Sequence, residues 1–118
     1  MGGNTEAEIQ GDILLALGSR PDVRLWRANA GAAATPAGRV VRFGVAGQGD
    51  LTGLLRLPGG VGARLEVEVK REDGRQTIEQ KTFQHVVEKF GGCYVLARSI
   101  DEALAGVNAF LARHGGAA

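Results

Sequence analysis

The chain has 118 residues, 44% of them hydrophobic and 23% charged, with a formal net charge of +1. That length suits one domain with a core that needs no covalent staples, and a charge so near zero excludes a globally basic nucleic-acid coat. The single cysteine, Cys93, excludes internal disulfides and cysteine-based zinc sites, and no apolar run reaches the length of a membrane span.

Asn4 and Thr5 open the first predicted helix. Thr5 to Glu8 reads as a capping box, Ile9, Ile13, Leu14 and Leu17 recur at helical spacing, and Gly18 with Pro21 ends the run. The acidic residues Glu6, Glu8 and Asp12 stand where a signal peptide needs a basic and then an apolar stretch, so a cytoplasmic protein is expected. Val23 to Asn29 alternates as a strand, with Val23, Leu25 and Arg27 on one face and Arg24, Trp26 and Ala28 on the other. Trp26 is read as core, with a base-stacking platform as the alternative. Gly31 to Gly38 is small, proline-containing and read as a loop.

Arg39 to Phe43 is a short strand, Gly44 to Gly49 a glycine turn, and Asp50 begins a strand running to Leu57. Pro58 to Gly62 turns the chain into a further strand, Ala63 to Arg71, and Glu72 to Gly74 turns it again. Gln76 to Phe90 carries Ile78, Phe83, Val86, Val87 and Phe90 as an amphipathic helix, stopped by Gly91 and Gly92. Cys93 to Ala97 is a compact apolar run, expected as a central strand buried on both faces. Ser99 caps the last helix with Glu102 as its capping-box partner, and residues 115–118 form a frayed tail. These elements predict an α/β single domain over 1–118, with its core at about 5–111: a mixed central sheet flanked by helices.

The chemistry concentrates in two stretches, "GQGDLTG" at 47–53 and "LEVEVK" at 65–70. In the second, Leu65, Val67 and Val69 face the core, and Glu66, Glu68 and Lys70 face the other way. Antiparallel pairing of the two strands carries Asp50 towards Glu68. Two carboxylates so close repel, and an oxygen-liganded divalent cation, Mg²⁺ or Mn²⁺, relieves that repulsion. A charged outer strand face that is merely solvated is the other reading. Gly47 and Gly49 carry no side chain to obstruct a phosphate backbone. Eleven of the fourteen basic residues are arginine, a bias that suits a local phosphate-binding face and equally suits GC-rich codon usage.

Five segments in order, "TEAEIQGDI", "WRANAG", "RFGVAGQGDLTG", "LEVEVKREDGRQTIEQKTF" and "GGCYVLARSIDEA", resemble the virus-type replication-repair nuclease domain (VRR-NUC) of the PD-(D/E)xK nuclease superfamily. The likeness runs from Thr5 to about Leu104. It implies a restriction-endonuclease-like αβββαβ core and a Mg²⁺- or Mn²⁺-dependent DNA endonuclease. By the resemblance the signature Asp is Asp50 and the Glu-x-Lys pair is Glu68 and Lys70. The carbonyl of Val69 is the further metal ligand, and Glu6 is the helical carboxylate, with Glu8 as the fallback. Gln80 matches a glutamine bordering such sites, and a polar position on an exposed helix face is its alternative. Gly49 stands where the signature has its leading proline.

Arg27 and Asn29 are candidate DNA contacts, with a turn role as the alternative for Asn29. Glu66 is placed at the rim as an extra carboxylate, Cys93 fills core, and His85 and His114 have no ligand-spaced partner. The small stand-alone members of the family imply branched DNA such as Holliday junctions as substrate, a homodimer to make paired cuts, and a bacterial or phage-infected cell as the setting. A non-catalytic DNA-binding or assembly module that keeps the fold is the second expectation.

Overall fold

The computed structural model describes residues 4–28 and 31–115. Helix α1 (Glu6–Gly18) opens on the predicted capping box: Thr5 Oγ1 accepts from the Glu8 amide at 3.1 Å, and Glu8 Oε1 accepts from the Thr5 amide at 2.9 Å. Strand β1 (Val23–Arg27) follows, then β2 (Gly31–Ala34), β3 (Val40–Phe43), β4 (Leu51–Arg56) and β5 (Gly62–Val69). Helix α2 (Ile78–Lys89), strand β6 (Cys93–Ala97) and helix α3 (Ile100–Arg113) complete the order.

The architecture is α/β. Four strands form a mixed sheet in the order β1-β4-β5-β6, antiparallel except for the parallel pair β5 and β6. Strands β2 and β3 pair only with each other, as a separate two-stranded sheet. Without that hairpin the order is α, β, β, β, α, β, α, whose first six elements follow the order the resemblance implies.

Two expectations are corrected here. Residues 31–34, read as loop, are a strand: the alanines lack side-chain polarity but pair with 40–43 once the chain turns at Thr35 to Gly38. Strand β6 lies at the sheet edge, not its centre. Its apolar composition answers to helices instead. Cys93, Val95 and Ala97 are buried in the core that α3 completes, while Tyr94 and Leu96, half-buried, face the side on which α2 packs.

One sheet face is covered by α1 and α3. Ile9, Ile13 and Leu17 from α1 and Ala103, Val107 and Phe110 from α3 meet Leu51, Leu55, Leu65, Val67 and Val69 there. Strand β5 carries the residues of this core at alternate positions and is interior to the sheet, so both of its edges are paired. The α3 cap departs slightly from the expected box. Ser99 Oγ accepts from the Glu102 amide, but Glu102 Oε1 reaches back to the Arg98 amide at 2.8 Å. Cys93 fills core as expected, and burial pushes its thiol up to about 12, which leaves it protonated and inert. Leu65 is fully enclosed at the centre of the sheet. Leu65→Ala is therefore expected to cost about 2–5 kcal/mol, read as a lower urea midpoint with an unchanged slope.

Candidate metal centre

The register of β4 on β5 builds the site. Leu51 pairs with Val67, so the next residue outward on β4, Asp50, stands opposite Glu68. Asp50 Oδ2 accepts from the Val69 amide at 2.7 Å, and the Asp50 carbonyl accepts from the Ala28 amide at 2.9 Å. The aspartate is thus held at a strand end by main-chain bonds on both sides. Glu68 is 3% exposed. Its Oε2 accepts from Gln80 Nε2 at 3.0 Å and lies 3.7 Å from the Lys70 ammonium. Its other oxygen, Oε1, is buried and has no partner.

A carboxyl group in this setting resists ionisation. Burial pushes Glu68 up to about 8; the neighbouring Asp50 charge adds to the rise, and Glu6 adds a little more. Lys70 opposes it. Glu68 is therefore the carboxyl of this site that gives up its proton late, as crowding and burial require.

The residues expected at the site fall into three groups. Asp50, Glu68, Lys70 and Gln80 are brought together. Glu6 sits exposed in the first turn of α1, near enough for its charge to be felt at Glu68, whereas Glu8 is committed to the helix cap. Arg27 bonds Gln10 of α1 and so lies on the α1 side of the sheet. Asn29 lies outside the described residues.

The glycines have partners other than the expected phosphate. Gly47, at φ +76°, leaves its side-chain direction to the Glu79 carbonyl oxygen, which would stand 2.1 Å from a Cβ. Gly49 is buried, and a Cβ there would meet the Val67 carbonyl at 3.0 Å and Glu66 Oε1 at 3.3 Å. The glycine turn is clamped between the start of α2 and β5, and the chain's own main chain occupies the room left free. That clamp sets Asp50 and Gln80 in fixed relation.

Glu66 is the main departure. Expected at the rim, it is fully buried, because α2 and the glycine turn roof this face of β5. Its Oε2 accepts from Thr52 Oγ1 and from Arg64 Nε at 2.7 Å, and its Oε1 has no partner. Thr52, Arg64, Gln76 and Tyr94 were missed as neighbours of the site. Gln76 Nε2 bridges Gln84 and the Tyr94 hydroxyl, and the registers place Thr52, Glu66 and Tyr94 in one cross-strand row. Strand parity alone puts Thr52 and Glu66 on one face; the register that makes them adjacent is a tertiary fact.

Among the described residues no three His, Cys, Asp or Glu side chains converge as a ready cation cluster. A hard divalent ion that keeps several waters needs only one or two carboxylates, and the orphaned Glu68 Oε1 beside Asp50 supplies the acceptor such an ion takes. The donor set fits Mg²⁺ or Mn²⁺: Asp50 and Glu68 would hold it, with the Val69 carbonyl as the main-chain candidate.

Two outcomes follow. Glu68 is protonated more readily in the native state than in the unfolded chain, so its contribution to stability is full below about pH 4.5 and lost as the pH rises towards 8. In chelator, thermal unfolding should show wild type losing more stability between pH 5 and pH 8 than Glu68→Gln does; an equal loss would show the carboxyl to be unperturbed. Gly47→Ala should lower the melting temperature by several degrees, because the new methyl group meets the Glu79 carbonyl and the backbone keeps a left-handed conformation.

Compared with known proteins, the chain matches no family model, no curated protein and no solved structure.

Proposed function

We propose that this protein is a Mg²⁺- or Mn²⁺-dependent DNA endonuclease of the VRR-NUC type, hydrolysing phosphodiester bonds in branched DNA such as four-way junctions. The observation that carries this reading is the half-buried Asp50 opposite the buried Glu68, which keeps one unpartnered carboxylate oxygen and lies next to the Lys70 ammonium. A bound divalent ion supplies polarisation of a phosphoryl oxygen and a more acidic water.

The chain's own residues do the rest. Glu68 would have to give up its proton to hold the cation beside Asp50, so affinity for the ion would rise with pH. Gln80 fixes the Glu68 carboxylate through one oxygen and leaves the other to face the ligand. The Lys70 ammonium lies where negative charge on a bound phosphate can be steadied as it develops. Glu6 contributes a further, outlying carboxylate. With one centre per chain, paired cuts in a two-fold junction call for a symmetric homodimer, working in the cytoplasm of a bacterial or phage-infected cell.

The test incubates purified protein with junction, flap and linear DNA, with and without Mg²⁺ or Mn²⁺. Metal-dependent cleavage is expected, reduced at least about 10²-fold in Asp50→Asn and in Lys70→Ala while both variants stay folded. Cleavage undiminished by either substitution would overturn the reading. The sparse side-chain ligand set favours one alternative, a DNA-binding or assembly module without turnover. DNA affinity with no hydrolysis in either metal would select it.

A further inference from the structure

Opposite the α1–α3 layer, α2 packs over β6, while β1 and β4 present side chains that remain exposed. The registers lay these out in rows. Arg24 pairs with Leu54, which pairs with Arg64; Trp26 pairs with Thr52, which pairs with Glu66. The next row outward holds Asp50 opposite Glu68. Strand spacing and rise put Trp26 about 8 Å from Asp50 and about 12 Å from Glu68 along the sheet.

Trp26, expected in the core, is 48% exposed, Leu54 is 54% exposed, and Arg24 and Arg56 are exposed beside them. Outside the Asp50–Glu68 row, two nearby acids already have cationic partners. Asp22 is held by Arg20 at 2.9 Å, and the buried Glu66 is held by Arg64. Arg64 is itself set in place: it bonds Glu66 through Nε, with Thr52 donating to the same carboxylate oxygen. That geometry leaves its two Nη groups for a second anion. A fixed, half-exposed guanidinium loses little freedom when it meets a phosphate.

Resting on the proposed nuclease reading, we propose that this open half of the sheet is the binding platform for a single-stranded segment of the DNA substrate. Trp26 stacks an unpaired base, and Arg24 and Arg64, both in the row beyond it from the acid pair, take the phosphates there. The occupant follows from charge and continuity. An aromatic face with a row of arginines on one side suits a polyanion whose bases are unstacked, and on its other side the platform runs into the Asp50–Glu68 row. A duplex has no free base to offer Trp26.

Trp26 is the only tryptophan in the chain, so its fluorescence reports the platform directly. Single-stranded oligonucleotide, and duplex of equal length, are titrated into full-length protein in chelator, where no cleavage intervenes. The expected result is quenching by single strand and little by duplex. Affinity should fall about tenfold or more in Trp26→Ala and be largely kept in Trp26→Phe. Arg24→Gln with Arg64→Gln should flatten the salt dependence, lowering the slope of log affinity against log salt by roughly 1.4.

Binding without a fluorescence change, with Trp26→Ala as tight as wild type, would overturn the proposal. So would equal quenching by duplex, or emission that follows protein concentration and not DNA, the mark of a second copy on this face. Cleavage by Trp26→Ala at saturating DNA in Mn²⁺ is read separately, since that variant keeps Asp50, Glu68 and Lys70. Quenching without cleavage by wild type would sink the nuclease reading and leave the platform; cleavage without quenching would do the reverse.

Discussion

Asp50 and Glu68 face each other because β4 and β5 pair in one antiparallel register, and most of the functional architecture depends on that pairing. Sliding β4 by one residue would turn Leu51 and Leu55 out of the core and Thr52 into it, so the hydrophobic face that folds the protein also fixes the acid pair. The cost of crowding two carboxyls is local, and the core on the other face offsets it. Packing thus holds in place an arrangement that electrostatics alone would disperse.

Burial gives the pair its character. On an open strand, Glu68 would ionise as an ordinary glutamate and bind a cation weakly through water. Here the glycine turn approaches β5 at main-chain distance, α2 lays Gln80 over Glu68, and the glutamate loses nearly all its exposure. One oxygen is satisfied and one is not. Glu66, two residues back on the same face, shares this burial but has Thr52 and Arg64 for partners. Two glutamates of one strand face therefore take different chemistry from their neighbours.

The sequence made legible what depends on short-range pattern. The capping box at Thr5, the alternation in "LEVEVK" and the apolar stripe of α3 all follow from spacing, and the facing of Asp50 and Glu68 followed from parity plus a short connection. What was misread depends on distant parts of the chain. Trp26 looks like core until β1 proves to be an edge strand with its outer face uncovered. Glu66 looks like rim until the turn at 44–49 closes over it. Residues 31–34 show no strand signal, because small alanines pair by main chain and carry no periodicity. The glycines of "GQGD" were rightly marked as places of close approach, but the approaching group is the chain's own backbone.

Gln80 links local folding to the site in a single side chain. Its amide oxygen accepts from the Thr77 amide and starts α2, while its amide nitrogen donates to Glu68. Elsewhere a capping box accepts glutamate as readily as glutamine. At this position glutamate would keep the cap and set a third negative group against the acid pair, with no donor left for Glu68. Two separate demands, one from the helix start and one from Glu68, therefore meet in one side chain, and an amide answers both.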